Sequence, residues 1–160
     1  MKRMVHRAIL ALAIACGAAQ AQQKGPLEST LEQQKVVRAA DGSESRAAAT
    51  SVRPGDVIEY VATYRNTGRA PITGVEATVP VPPNTEYVAG SARPATGKAS
   101  VDGTTYAPMP LVRKVMRDGK SAEEPVPMRD YRYLRWSAPE LGANQSVRFT
   151  ARVRVLEDTR

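Results

Sequence analysis

The chain has 160 residues, 23 Lys and Arg against 16 Asp and Glu, a formal net charge of +7, one cysteine and one histidine. This modest basic excess speaks to solubility, and is not the concentrated basic face that nucleic-acid binding requires. A single cysteine excludes an intrachain disulfide, so the fold has to be held by an apolar core and by hydrogen-bonded strands.

In chain order, Lys2, Arg3 and Arg7 make a basic start, Ala8 to Ala15 a short apolar run, and Ala19-Gln20-Ala21 places small residues either side of Gln20. That is the layout of a secretory signal cleaved after Ala21. The run is well short of the roughly 20 residues needed to span a bilayer. No later segment approaches that length, so the expectation is a periplasmic or secreted product without a transmembrane segment. Cys16 follows Ala13-Ile14-Ala15, a loose lipobox with alanine where a leucine-like residue is usual. A lipoprotein anchored through Cys16 is therefore the alternative. Cleavage removes Cys16 and His6 and leaves the length of one ordinary domain. The expected layout is a signal peptide over 1–21, a flexible segment over 22–30 and one sandwich over 31–157, with a hairpin insertion near 108–130.

Beyond the leader the hydrophobic period is two. Ile58, Tyr60, Ala62 and Tyr64 share one face of Val57 to Arg65. Val75, Ala77 and Val79 alternate with Gly74, Glu76 and Thr78. Tyr131 to Trp136 is a further strand, with Leu134 and Trp136 as its core pair. In Ser146 to Leu156, Val147, Phe149, Ala151, Val153 and Val155 alternate with Arg148, Thr150, Arg152 and Arg154. Such alternation predicts half-buried antiparallel strands. Asp-Gly recurs at Asp41-Gly42, Asp102-Gly103 and Asp118-Gly119, each placed to be a two-residue hairpin turn. These turns would join Leu31–Val37 to Ser43–Thr50, Ala99–Val101 to Thr104–Tyr106, and Leu111–Met116 to Ser121–Val126. Twelve prolines argue against long helices. About seven to nine short strands with closely spaced turns predict an all-β antiparallel sandwich, because a single sheet would leave its apolar face wet.

The ordered series Val52-Arg53-Pro54-Gly55-Asp56, Tyr60, Tyr64-Arg65-Asn66-Thr67-Gly68 resembles the opening of the bacterial immunoglobulin-like "conserved repeat" family, also called domain of unknown function eleven. Ala70-Pro71-Ile72-Thr73-Gly74-Val75, then Val81-Pro82-Pro83-Asn84-Thr85 through Ser91, and then Trp136, Leu141-Gly142 and the last strand extend the resemblance over most of the chain past the leader. It implies an immunoglobulin-like sandwich in the cell envelope, on the surface or secreted. The family often occurs as tandem arrays. Here one copy is visible, and Pro108 to Asp130 is longer than the family's usual turn.

Without His6 and Cys16 the chain offers neither a His- or Cys-based nucleophile pair nor a zinc-type ligand set. No glycine-rich phosphate loop is present. The expectation is therefore a non-enzymatic protein without a cofactor, with a structural or protein-binding role toward an envelope protein or cell-surface component. A carbohydrate- or Ca²⁺-binding accessory domain is the alternative. Glu123, Glu124 and Asp130 are the carboxylates to weigh for a cation, against cross-strand pairing with Arg113 and Lys114.

Two surfaces are candidates for contact. Met109, Leu111, Val112, Arg113, Val115 and Met116 form a segment more apolar than a free loop needs, either a protruding hairpin that meets a partner or one packed on its own sandwich. Arg148, Arg152 and Arg154 form an outward stripe that either binds anions or solvates a sheet face. Leu31 to Val37 is also an outer strand able to pair between molecules by β-augmentation.

Overall fold

A computed structural model describes residues 25–157. The expected signal peptide, the Cys16 anchor and residues 22–24 of the expected flexible segment lie outside the described residues.

Strands form where the alternation predicts them, and at several places where it is silent. They are β1 (Leu27–Arg38), β2 (Glu44–Ala48), β3 (Val57–Asn66), β4 (Ile72–Pro80), β5 (Thr85–Tyr87), β6 (Lys98–Ser100), β7 (Ala107–Pro108), β8 (Val112–Arg117), β9 (Lys120–Pro125), β10 (Tyr133–Leu141) and β11 (Ser146–Val155), with a 3-10 turn at Met128–Asp130. One antiparallel sheet has the order β2-β1-β3-β11-β5, the facing sheet has the order β4-β10-β6-β7, and β8-β9 stand apart as a two-stranded sheet. Among the described residues no helix is long and apolar enough to cross a membrane.

The two larger sheets bury their inward rows against each other, which makes the fold an all-β antiparallel sandwich. Ile58, Tyr60 and Ala62 of β3 and Phe149, Ala151 and Val153 of β11 meet Val75, Ala77 and Val79 of β4 and Leu134, Trp136 and Ala138 of β10. Trp136 stacks on Phe149 across the sheets with ring centroids 5.6 Å apart. Its indole Nε1 donates to Pro94 O at 2.8 Å, which leaves no polar atom of the ring unmet in the core.

Among the described residues the sandwich proper has nine strands, within the expected range, and the hairpin adds two more. Several local expectations need correction. β1 begins at Leu27, inside the segment expected to be flexible, because Leu27 to Val36 are paired with β3. Its exposed first half has no buried face to generate an alternating signal. β10 begins at Tyr133 and runs on to Leu141, later and longer than the pattern suggests.

Of the three Asp-Gly sites, only Asp118-Gly119 is a two-residue turn, with φ of 51° and 73° at its central residues and Arg117 paired with Lys120. At Asp41-Gly42 the β1–β2 hairpin closes wider. Ala39 N donates to Ser43 O at 2.9 Å, and the Asp41 carboxylate accepts the Ser43 amide at 2.9 Å. At Asp102-Gly103 no tight hairpin forms, since β6 pairs with Ala107–Pro108. There Asp102 Oδ1 accepts the amides of Thr104 and Thr105 at 2.8 Å each, organising a longer loop. Those bonds hold its carboxyl well below the usual aspartate range. Asp serves all three loops, but through its side chain in two of them.

Candidate functional site

The β8–β9 hairpin is built from its turn outward. Asp118 and Gly119 accept positive φ, and the two strands then run back in register, with Arg113 opposite Glu124 and Lys114 opposite Glu123. Glu124 accepts from Arg113 at 3.1 Å and from Arg117 at 3.3 Å. The Arg113 bond, ahead of the Arg117 contact, holds the Glu124 carboxyl below its ordinary range. Cross-strand pairing thus accounts for Glu124. Among the described residues no group of three or more His, Cys, Asp or Glu is placed to hold a metal.

The two readings of this segment divide at Leu111. Leu111 and Val126 are each 7% exposed and belong to the core. Leu111 O accepts from Val126 N at 2.9 Å, and Leu111 N donates to the Tyr131 hydroxyl at 2.7 Å. The root of the hairpin is therefore part of the sandwich. Past it, alternation puts Val112, Lys114 and Met116 on one face, with Val112 57% and Met116 70% exposed. Arg113 is exposed and Val115 half-buried. Leu111 is accordingly withdrawn from the candidate contact surface, and half-buried Met109 packs against the core. Both lose their surface because the chain enters and leaves the hairpin through the sandwich.

Excision of residues 112–125, with Leu111 joined to Val126 through a two-residue Asn-Gly turn, is expected to keep the melting temperature within about 5 °C. Excision of 111–126 removes both core side chains, each worth about 2–4 kcal/mol, and is expected to melt far lower. Thermal denaturation of the two deletions side by side checks this. Equal stability of the two would show the root to be dispensable.

Beside the root lies a cleft of about 320 Å³ lined by Tyr87, Met109, Pro110, Met128 and Tyr131 among others. Its floor is the stacked pair Tyr87 and Tyr131, centroids 5.7 Å apart at 10°. Both hydroxyls are engaged, Tyr87 accepting from Ala92 N at 3.2 Å and Tyr131 from Leu111 N. The lining offers apolar contact and no acid–base pair. Sequence reasoning missed this cleft because loops and a 3-10 turn build it, and these carry no periodicity.

The arginine stripe is not the free basic row the alternation suggests. β11 pairs with β3 from Ser146 to Arg154 and with β5 only from Val153 to Val155, so its outward side chains meet neighbours chiefly in its second half. Register places Glu59 opposite Arg152 and Glu86 opposite Arg154. Arg152 contacts Glu59 and Glu44 at 2.9 Å each. Glu59 also accepts from Arg46 Nε at 2.8 Å, and Glu44 from Arg38 at 3.0 Å. Arg154 reaches Glu86 at 3.2 Å. Arg148 stays exposed. An anion approaching Arg152 or Arg154 would have to displace a carboxylate already in place, so only Arg148 keeps the role proposed for the stripe.

The network has a pH signature. Burial pushes the Glu59 carboxyl up, but hydrogen bonds from Arg46 and Arg152 outweigh it and hold the group below its ordinary 4.5. A carboxyl depressed in the fold contributes stability that is present above the unfolded value and lost as pH falls through the folded one. Stability is therefore expected to decline below about pH 4.5. Glu59→Gln is expected to flatten that acid limb and to lower stability at neutral pH, measured by urea unfolding at a series of pH values. An unchanged acid limb would place the pH dependence elsewhere.

Comparison of the chain with protein-family models, with curated proteins and with solved structures finds no match to any of them.

Proposed function

We propose that the protein is an exported, non-enzymatic immunoglobulin-like module of the bacterial cell envelope that presents the β8–β9 hairpin to a partner protein. Export rests on the basic, apolar and small-residue order of residues 1–21. Envelope placement rests on the resemblance to the conserved-repeat family. The observation that carries the contact role is the hairpin itself. It is rooted in the core through Leu111 and Val126, yet displays Val112 and Met116 to solvent on one face. An isolated two-stranded hairpin is marginal in water, and exposed Met and Val beside paired charges make an adaptable contact surface.

A photo-activatable residue at position 116, compared with one at exposed Arg69, tests this in the native envelope. A discrete cross-linked product from position 116 alone, lost with Val112→Asp, is the expected result. Identical products from both positions, or none from 116, would overturn it.

A further inference from the structure

β1 has an edge that is only half covered. On one side it pairs with β3 from Leu27 to Val36. On the other, β2 pairs with it only from Gln34 to Arg38. Among the described residues no strand lies beside 27–33. Two backbone bonds identify the groups left there. Pro26 O accepts from Thr67 N on the β3 side, and Ala39 N donates to Ser43 O on the β2 side. Both registers run without a slip. Antiparallel alternation then makes even-numbered residues bond to β3 and turns odd-numbered residues outward. Leu27, Ser29, Leu31 and Gln33 thus present a row of backbone donors and acceptors, a template for another strand.

The side chains of the same residues are unprotected too. Leu31 lies opposite Ala62, on the core-facing side of the sheet, but the facing sheet does not extend over it. Leu27 and Leu31 remain 37% and 45% exposed. The stretch Leu27-Glu28-Ser29-Thr30-Leu31 has no proline, no lysine and no bulge, and Glu28 is the one charge that defends it.

We infer that this edge pairs with the same edge of a second copy of the chain, antiparallel about a two-fold axis through Ser29. The occupant follows from self-complementarity. In that register Ser29 meets Ser29, Leu27 meets Leu31 on the exposed inner side, and Glu28 meets Thr30 on the other, so that no carboxylate faces another. With the axis at Thr30, Glu28 would face Glu32 twice, and like charges directly opposite are destabilising. With the axis at Leu31 the incoming strand would run into Ala48, which already occupies the place beside Gln34. The isologous pair closes on itself as a dimer with one continuous sheet. An edge contact this short buries less than the roughly 1,000 Å² of a stable interface, so the dimer is concentration-dependent, with Kd of about 10 μM to 1 mM. This inference stands independently of the hairpin's role.

Sedimentation equilibrium of the purified protein from about 1 μM to about 1 mM tests it. A monomer–dimer equilibrium is expected, weakened at least about tenfold by Leu31→Lys and by Ser29→Pro. The proline removes an outward N–H and spares the β3 ladder. Met116→Lys, on the hairpin, is expected to leave the dimer unchanged. Circular dichroism verifies folding, and if Ser29→Pro unfolds the protein, the exposed Leu31→Lys decides alone. Monomer throughout that range, a dimer indifferent to Leu31→Lys, or a dimer abolished by Met116→Lys would each overturn the inference.

Discussion

Asn66→Ala is expected to lower the unfolding free energy by about 3–5 kcal/mol. Asn66 sits at the end of β3 with 0% of its surface exposed. Its Nδ2 donates to Ala70 O at 2.8 Å, Leu141 O at 2.9 Å and Gly142 O at 3.1 Å. Its Oδ1 accepts from Gly68 N at 2.9 Å. One amide thus ties the β3–β4 loop to the β10–β11 turn, which joins the two sheets at one end of the sandwich. Removing it takes the side-chain partner from the buried Leu141 carbonyl and from the part-buried Ala70 and Gly142 carbonyls and Gly68 N–H, a loss of about 1–3 kcal/mol for a buried group and less where water can reach.

At roughly 3–5 °C per kcal/mol for a domain of this size, the melting temperature should fall by about 10–20 °C. Asn66→Asp is the sharper variant. It keeps the shape but sets a carboxylate against the carbonyls, so at neutral pH it should be no more stable than the alanine. Urea unfolding of both variants checks this. An aspartate variant with wild-type stability would mean the amide's hydrogen bonds are not what holds that end.

Gly97→Ala is expected to destabilise by about 2–4 kcal/mol and to change the fluorescence of Trp136, the chain's single tryptophan. A Cβ at Gly97 would lie 2.7 Å from Trp136 Nε1 and 2.9 Å from Cε2. Trp136 has nowhere to retreat, being 2% exposed, stacked on Phe149 and hydrogen-bonded to Pro94 O. To admit the methyl group, the indole must tilt and release that bond, or the 94–97 segment must lift from the sandwich. Either course exposes the ring, so the emission maximum should shift red together with a lower midpoint in urea. A folded variant with unshifted emission and unchanged midpoint would show that the backbone gives way freely. Gly142→Ala is a useful contrast, since the flexible Gln145 side chain that it meets at 2.9 Å can swing aside.

The legible part of the fold is the part where burial is one-sided. β4 and β11 each put one face in the core and the other largely toward water, so apolar and polar residues alternate along them, and β3 alternates likewise except at Val61, which is buried on its second face. β5, β6 and β7 are two or three residues long, too short for a period to show. The first half of β1 is exposed on both faces, and pairing rather than hydrophobicity makes it a strand. The turn residues were visible as punctuation. Asp-Gly marks a change of direction, but whether Asp takes positive φ or accepts amides with its side chain depends on how far apart the strands arrive.

The contact surfaces were legible only in outline. Composition along 108–127 singled out the hairpin, but not the point at which it leaves the core, because Leu111 and Val112 are equally apolar and differ only in what lies beside them. The arginine row was visible as a face. That Glu59, Glu86 and Glu44 neutralise most of it depends on the order β2-β1-β3-β11-β5, which brings together residues far apart in the chain.

By itself the amino-acid sequence determined the class of fold, since a period of two with frequent turns is satisfied only by sheets that hide one face. It also marked Trp136 and one face of the last strand as core, because their apolar side chains fall on the alternating inward positions. Tertiary structure alone decided which charges are spent on one another, where the hairpin becomes free and which edge of β1 is left open. Those are properties of strand order and register, and they arise from the balance of the whole core rather than from any local stretch of chain.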